Sequence, residues 1–138
     1  MLTLFLALTL VLSLFISASA ITIAFSQIGQ ESDWRAANTD SVSKAIEAEG
    51  WGYVYEDAQQ KQENQVKALR NFISQNADYI LFTGVVSTGW DEVLKEVNEA
   101  EIPLVLLDRM PDNINDIEYS LDGRLSEKAA DVVDKRLY

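Results

Sequence analysis

Beyond residue 20 the chain alternates short apolar or β-branched runs with longer stretches in which apolar residues recur every three or four positions, and it does so four times. The first kind of run is a strand signal, and the second marks one face of a helix. On this reading residues 21–26 form a first strand, and 33–49 a first helix whose inward stripe is Ala37, Val42, Ala45 and Ile46, ended by Gly50. Residues 51–56 alternate as a second strand, and 61–76 form a second helix with Val66, Leu69, Phe72 and Ile73 on one face. The polar group at its start, Gln59, Gln60, Gln62, Asn64 and Gln65, is expected to be solvated. A third strand at 78–83 precedes a helix that Thr88 opens with Asp91 three residues on, a variant of the capping box, with Val93, Leu94, Val97 and Ala100 inward. Pro103 follows as a stop signal, and 104–107 is apolar on both faces, the texture of a central parallel strand. Strands alternating with helices predict an α/β fold: a three-layer, doubly wound parallel sheet. Beyond Arg109 the texture changes to a turn-rich, acidic segment at 110–116, with a short strand expected near 117–121 and a last helix over 124–138.

The first 20 residues read differently from the rest. Residues 2–16 are uncharged and apolar, and Ser17-Ala18-Ser19-Ala20 places small residues where signal peptidase requires them, so cleavage after Ala20 and export to the periplasm or medium are expected. The apolar run continues through Ile21 to Phe25, and no Lys or Arg precedes it, so an uncleaved membrane anchor stays open as a second reading. Ile21-Thr22-Ile23 is β-branched and favours a strand there.

Composition removes whole classes of chemistry. The chain has no cysteine and no histidine. Disulfides, thiolate zinc sites, lipidated cysteines and Ser-His-Asp hydrolysis are thereby excluded. A formal net charge of −11, with no basic stripe, repels phosphate backbones and argues against a nucleic-acid partner. Gly84 and Gly89 do not form a phosphate loop, and no G-x-G-x-x-G follows the first strand, so no nucleotide or other cofactor is expected. Acidic neighbours such as Asp91 and Glu92 suit a helix N-terminus better than an acid/base couple, and no enzyme is expected.

Candidate chemistry gathers at two places, both at carboxyl ends of predicted strands, where parallel sheets bind small molecules. Glu31-Ser32-Asp33-Trp34-Arg35 follows the first strand, and Asp108-Arg109 ends the apolar run Leu104-Val105-Leu106-Leu107. Trp34 offers an apolar ring face on which the CH face of a furanose or pyranose can stack. Arg35 presents a fork of donors that spans adjacent hydroxyls, although it is a cation in a first turn, where the helix dipole disfavours it. Asp108 can accept hydroxyl protons, and Arg109 can donate beside it. Glu31 and Ser32 complete a candidate ligand set of Glu31, Ser32, Trp34, Arg35, Asp108 and Arg109 that suits a monosaccharide.

The residues that carry these features resemble a known family. Ile23-Ala24-Phe25-Ser26-Gln27-Ile28-Gly29, Glu31 to Ala37, Gln59 to Gln65, Thr88-Gly89-Trp90 and Ile102 to Arg109 are similar to the periplasmic sugar-binding proteins of ABC transporters, in the type 1 ribose/galactose class, and most to its galactofuranose-binding branch. The resemblance implies that residues 21–109 are an amino-terminal sugar-binding lobe. It also implies that Ser32, Trp34, Arg35, Asp108 and Arg109 touch the sugar, and that an ABC transporter permease receives it. Residues 110–138 then read as a crossover and the start of a truncated second lobe, leaving the sheet incomplete and Ala129, Val132, Val133 and Leu137 without an expected partner. Where that family often carries Pro in the third βα loop, this chain has Gly84, so a looser loop is expected. Two rival readings share the fold: the sensing domain of a membrane-anchored sensor, and a regulator like the lactose repressor. The second lacks its basic helix-turn-helix here.

Overall fold

The computed structural model describes residues 20–109 and 111–112. The leader before Ala20, the expected strand near 117–121 and the expected helix over 124–138 lie outside the described residues. Within them the order is β1 (Thr22–Gln27), α1 (Asp33–Ala48), β2 (Gly52–Asp57), α2 (Gln62–Ser74), β3 (Tyr79–Phe82), α3 (Asp91–Glu99) and β4 (Leu104–Leu106). All pairings are parallel and the sheet order is β2-β1-β3-β4. β1 aligns Ile23 with Tyr53 on one side and with Tyr79 on the other. The α/β class and the four units stand as expected, each strand displaced by no more than a residue or two.

The two faces of the sheet are built differently, and composition explains why. Alternation sends Ala24, Ile80 and Phe82 toward α2 and α3, where they meet Ala68, Leu69, Phe72, Trp90, Val93, Leu94 and Val97 in one apolar core. Arg70 on α2 ties this pair of helices across its exposed side, donating to Glu96 at 2.7 and 2.8 Å and to Glu92 at 3.2 Å. The opposite face carries Ile23, Phe25, Tyr53 and Tyr55, with Phe25 and Tyr55 meeting edge to face at 6.0 Å. α1 covers this face with mostly polar side chains. Its inward positions are Arg35, Asn38, Thr39, Val42, Ser43 and Ile46, of which only Ile46 is buried, while Ala37 and Ala45 are exposed. The expected stripe is therefore half corrected: Val42 and Ile46 face inward as expected, whereas the exposed Ala37 and Ala45 give way to polar residues held by hydrogen bonds. Gln27, at the end of β1, donates to Asn38 Oδ1 at 3.0 Å and Thr39 Oγ1 at 3.3 Å, and Gln30 donates to Thr39 Oγ1 and the Tyr55 hydroxyl.

Two boundaries depart from the expectation for physical reasons. α3 starts at Asp91, with Trp90 as its N-cap residue, not at Thr88. The Thr88 carbonyl accepts from Gln62 Nε2 at 2.7 Å, and the burial of Trp90 decides where the turn begins. β4 lies at the end of the strand order among the described residues, and its three residues are half-buried, so the run apolar on both faces does not make it central here. Gly50 does end α1 as expected: with φ +69° it is left-handed, and its N–H donates to Glu47 O at 2.9 Å.

Tyr53 carries a specific cost. Its hydroxyl is buried with no partner among the described residues, and burial, followed by the neighbouring Tyr55, pushes its phenol well above the ordinary 10.0. The unfolded chain releases this proton first as pH rises past about 10, so the stability held by the neutral phenol is present below that pH and lost above it. Tyr53→Phe removes the unmet hydroxyl. It should raise stability at pH 7 by up to about 1 kcal/mol and make the alkaline loss shallower. Urea denaturation at pH 7 and pH 10.5 reads both effects, and a Phe variant less stable than the parent at pH 7 would contradict the assignment.

Candidate functional site

The topology selects one place on the sheet. From β1 the chain crosses to β2 on one side, and from β3 to β4 on the other, so the connections diverge between β1 and β3. In open parallel sheets, ligands bind outside the carboxyl ends of the strands at such a switch point. The β1–α1 turn, with Glu31 to Arg35, borders this point on one side, and the 83–90 loop after β3 borders it on the other. Asp108 and Arg109 follow β4 at the same edge. With β3 between them, β1 and β4 stand two strand spacings apart, roughly 10 Å, which accommodates one monosaccharide ring.

Each predicted residue has a definite setting. Ser32 is the N-cap of α1, extended at φ −137° and ψ 152°, and its Oγ accepts from Arg35 N at 3.3 Å, leaving its O–H free to donate. Trp34 projects from the first turn and is 58% exposed, although a ring of this size would be covered if it served the core. Arg35 is 12% exposed; its Nε pairs with Glu31 Oε1, while Nη1 is buried with no partner among the described residues. Glu31 thus serves as the holder of Arg35. Gly29 gives that carboxylate room, because a Cβ there would collide with Glu31 Oε2.

Asp108 has φ +61°, and the N–H of Arg109 donates to Leu107 O at 2.6 Å, so the pair sits on a tight three-residue turn. Asp is among the few side chains that tolerate this region, and backbone tension of this kind gathers at ligand sites. Asp108 Oδ2 and Arg109 Nε are 3.9 Å apart and both side chains are well exposed, so neither is consumed by the other. Both keep their hydrogen-bonding capacity for a ligand.

The structure adds Thr83, which sequence reading passed over. It follows β3 directly beside the switch point, is 3% exposed, and its Oγ1 has no partner among the described residues. A hydroxyl residue directly after Ile80-Leu81-Phe82 was the available signal, since a buried strand rarely ends on an unpaired polar group. One further expectation is corrected in part. The glutamine-rich start of α2 is solvated only in part: Gln59 and Gln60 are exposed as expected, but Gln65 is fully buried, Gln62 reaches the Thr88 carbonyl, and Asn64 donates to Ala58 O at 2.9 Å. Gly84 has a packing reason of its own, because it is buried and a Cβ there would lie 2.9 Å from Val86 O.

A cavity of about 410 Å³ lies at the opposite edge, lined by Ile73, Asn76, Ala77, Asp78, Ala100, Glu101 and Ile102. It opens at the carboxyl ends of α2 and α3, away from the switch point, and collects none of the predicted residues. Among the described residues no group of three acidic side chains could hold a metal ion, and no helix is long and apolar enough to cross a membrane.

Comparison with known proteins places this fold among relatives. Residues 23–120 match the model of the periplasmic binding protein domain family. The chain is 50% identical over 95 residues to the galactofuranose-binding protein YtfQ of Escherichia coli K12, covering 69% of this chain and 30% of that one. It is 35% identical over 92 residues to the fructose import binding protein FruE of Bifidobacterium longum, covering 66% and 28%. Among solved structures, the periplasmic binding protein of the arabinose ABC transporter from Shewanella sp. ANA-3, bound to α- and β-L-arabinofuranose, is 48% identical with a TM-score of 0.63, covering 64% and 30%. A Mycobacterium smegmatis protein in complex with β-D-fucofuranose is likewise 48% identical, with a TM-score of 0.66, covering 67% and 31%. The chain spans about 30% of the length of the curated relatives it matches.

Proposed function

The chain belongs to the periplasmic binding protein domain family, and from that premise we propose that it captures a monosaccharide of the galactofuranose kind outside the cytoplasmic membrane, for delivery to an ABC transporter permease. The observation that carries this reading is Trp34: an exposed ring at the switch point, flanked by Ser32, the N-cap of α1, and an Arg35 with a free donor. An aromatic platform ringed by donors and acceptors is what a polyhydroxylated ring with one apolar face requires. The furanose ligands of the Shewanella and Mycobacterium relatives support the sugar class.

In this reading Trp34 stacks on the sugar face, Arg35 and Arg109 donate to its oxygens, Asp108 accepts from two hydroxyls, and Ser32 donates one further bond. Glu31 keeps Arg35 in place. No step of chemistry is performed; the protein binds and hands over. Residues 1–20 act as the export leader, cleaved after Ala20, residues 21–109 are the binding lobe, and 110–138 lead toward a second lobe. Closure of two lobes supplies many of the contacts in hinged binding proteins, so a single lobe holds its ligand weakly.

Calorimetric titration of the folded chain with galactofuranose, ribose and galactose tests the proposal. The expected result is saturable binding with a Kd of about a millimolar, roughly −4 kcal/mol, and no turnover of aryl glycosides. Release of the aryl group would sink the binding-only reading, and the absence of saturable heat for every sugar would sink the ligand class.

A further inference from the structure

We infer that Gln65 is a positioning residue: from α2 it fixes the 83–90 loop on the β3 side of the cleft, and through that loop it sets the affinity for sugar. Its effect on affinity rests on the sugar-binding reading above; the hold on the loop does not.

Gln65 is fully buried on the face of α2 that continues with Ala68, Leu69 and Phe72, where packing alone would favour a hydrocarbon. An amide in such a place is tolerated only when its polar atoms are matched. They are matched entirely to the carboxyl edge. Nε2 donates to Thr83 O at 2.8 Å and to Ser26 Oγ at 3.4 Å, and Oε1 accepts from the N–H of Val85 at 2.8 Å. One side chain therefore joins β1 and the end of β3, the two strands that flank the switch point.

One turn earlier on the same helix, Gln62 takes the other end of the loop, donating to Thr88 O at 2.7 Å and Gly89 O at 3.2 Å. Between these ends Trp90 Nε1 donates to Val86 O at 2.8 Å. Backbone groups of residues 83, 85, 86, 88 and 89 are thus bound to side chains, while the Thr83 hydroxyl is left over. A loop held in shape before the ligand arrives needs little ordering on binding, which raises affinity. Without Gln65, Thr83 O and the Val85 N–H lose their partners together, and the loop gains by opening to water.

The test uses the whole chain carrying Gln65→Met, which keeps length and volume but removes all three bonds. Amide exchange by NMR and calorimetric titration with galactofuranose are the readouts, with Val97→Ala as a control at the far end of the core. In Gln65→Met, the Val85 amide should exchange about 10- to 100-fold faster while those of Phe72 and Leu94 stay within about threefold, and the Kd should weaken about tenfold. Val97→Ala should lower the melting temperature and leave the Kd within about twofold. If Gln65→Met does not fold, Gln65→Asn, one methylene too short for its partners, gives the same readouts. Val85 exchange that rises no more than that of Phe72 would overturn the inference, as would an unchanged Kd in a variant whose loop has opened. A parent chain that takes up no sugar would refute the functional reading, while Val85 exchange would still decide whether Gln65 holds the loop.

Discussion

Trp34→Ala is expected to weaken sugar binding about 30- to 150-fold while leaving the fold intact. A stacked ring removes roughly 100 Å² of apolar surface from water on binding, and at about 25 cal/mol per Å² that is some 2–3 kcal/mol of affinity. The same side chain is 58% exposed and joins neither face of the core, so its loss should change folding stability by no more than about 0.5 kcal/mol. Affinity from calorimetry and stability from urea denaturation separate the two. Unchanged affinity would remove Trp34 from the site, and a large loss of stability would make it a packing residue after all.

Trp90→Ala should do the reverse and strongly destabilise the fold. Trp90 is fully buried, lies edge to face with Phe82 at 5.0 Å and 79°, and donates to Val86 O. Truncating a buried Trp costs about 3–5 kcal/mol, a large share of the 5–15 kcal/mol that holds a typical domain together. The variant's thermal transition by circular dichroism should fall by about 12–40 °C. Trp90→Phe, which keeps a ring against Phe82 but leaves Val86 O unmet, should retain a transition with about 1–3 kcal/mol less stability. Two tryptophans in one sequence, separated by burial alone, would then carry opposite roles, and a Trp90→Ala chain that melts like the parent would refute the packing argument.

The two roles were not equally legible before the structure. Apolar spacing found α2 and α3, because Leu69, Phe72, Val93, Leu94 and Val97 are strongly periodic and bury against one apolar face. It was half right for α1, where Val42 and Ile46 do face the sheet but share that side with Asn38 and Thr39, which accept from Gln27 at the end of β1, and hydrophobic periodicity carries no information about hydrogen-bonded polar pairs. The ends of strands marked the candidate site: Glu31 to Arg35 and Asp108-Arg109 could be placed at one edge from βα alternation alone, and the same residues carried the family resemblance. Gln65 was hidden for a related reason. Five amide residues within seven positions look like a wet surface, and only the course of the 83–90 loop over α2 reveals which of them are enclosed. The left-handed turn at Asp108 was equally invisible, since an Asp at a strand end is compatible with extended and turned backbone alike.

These distinctions meet in one claim: the β1/β3 switch point, walled by Trp34 on one side and the Gln65-held loop on the other, is where a monosaccharide sits. The measurement that tests it most directly is an amide chemical-shift titration of the isotopically labelled chain with galactofuranose. The account predicts saturable shifts confined to residues 31–35, 83–86 and 108–109, absent in the Trp34→Ala variant. Shifts clustered instead around Ile73, Asn76 and Glu101 at the opposite edge, or a folded chain unresponsive at tens of millimolar sugar, would contradict it.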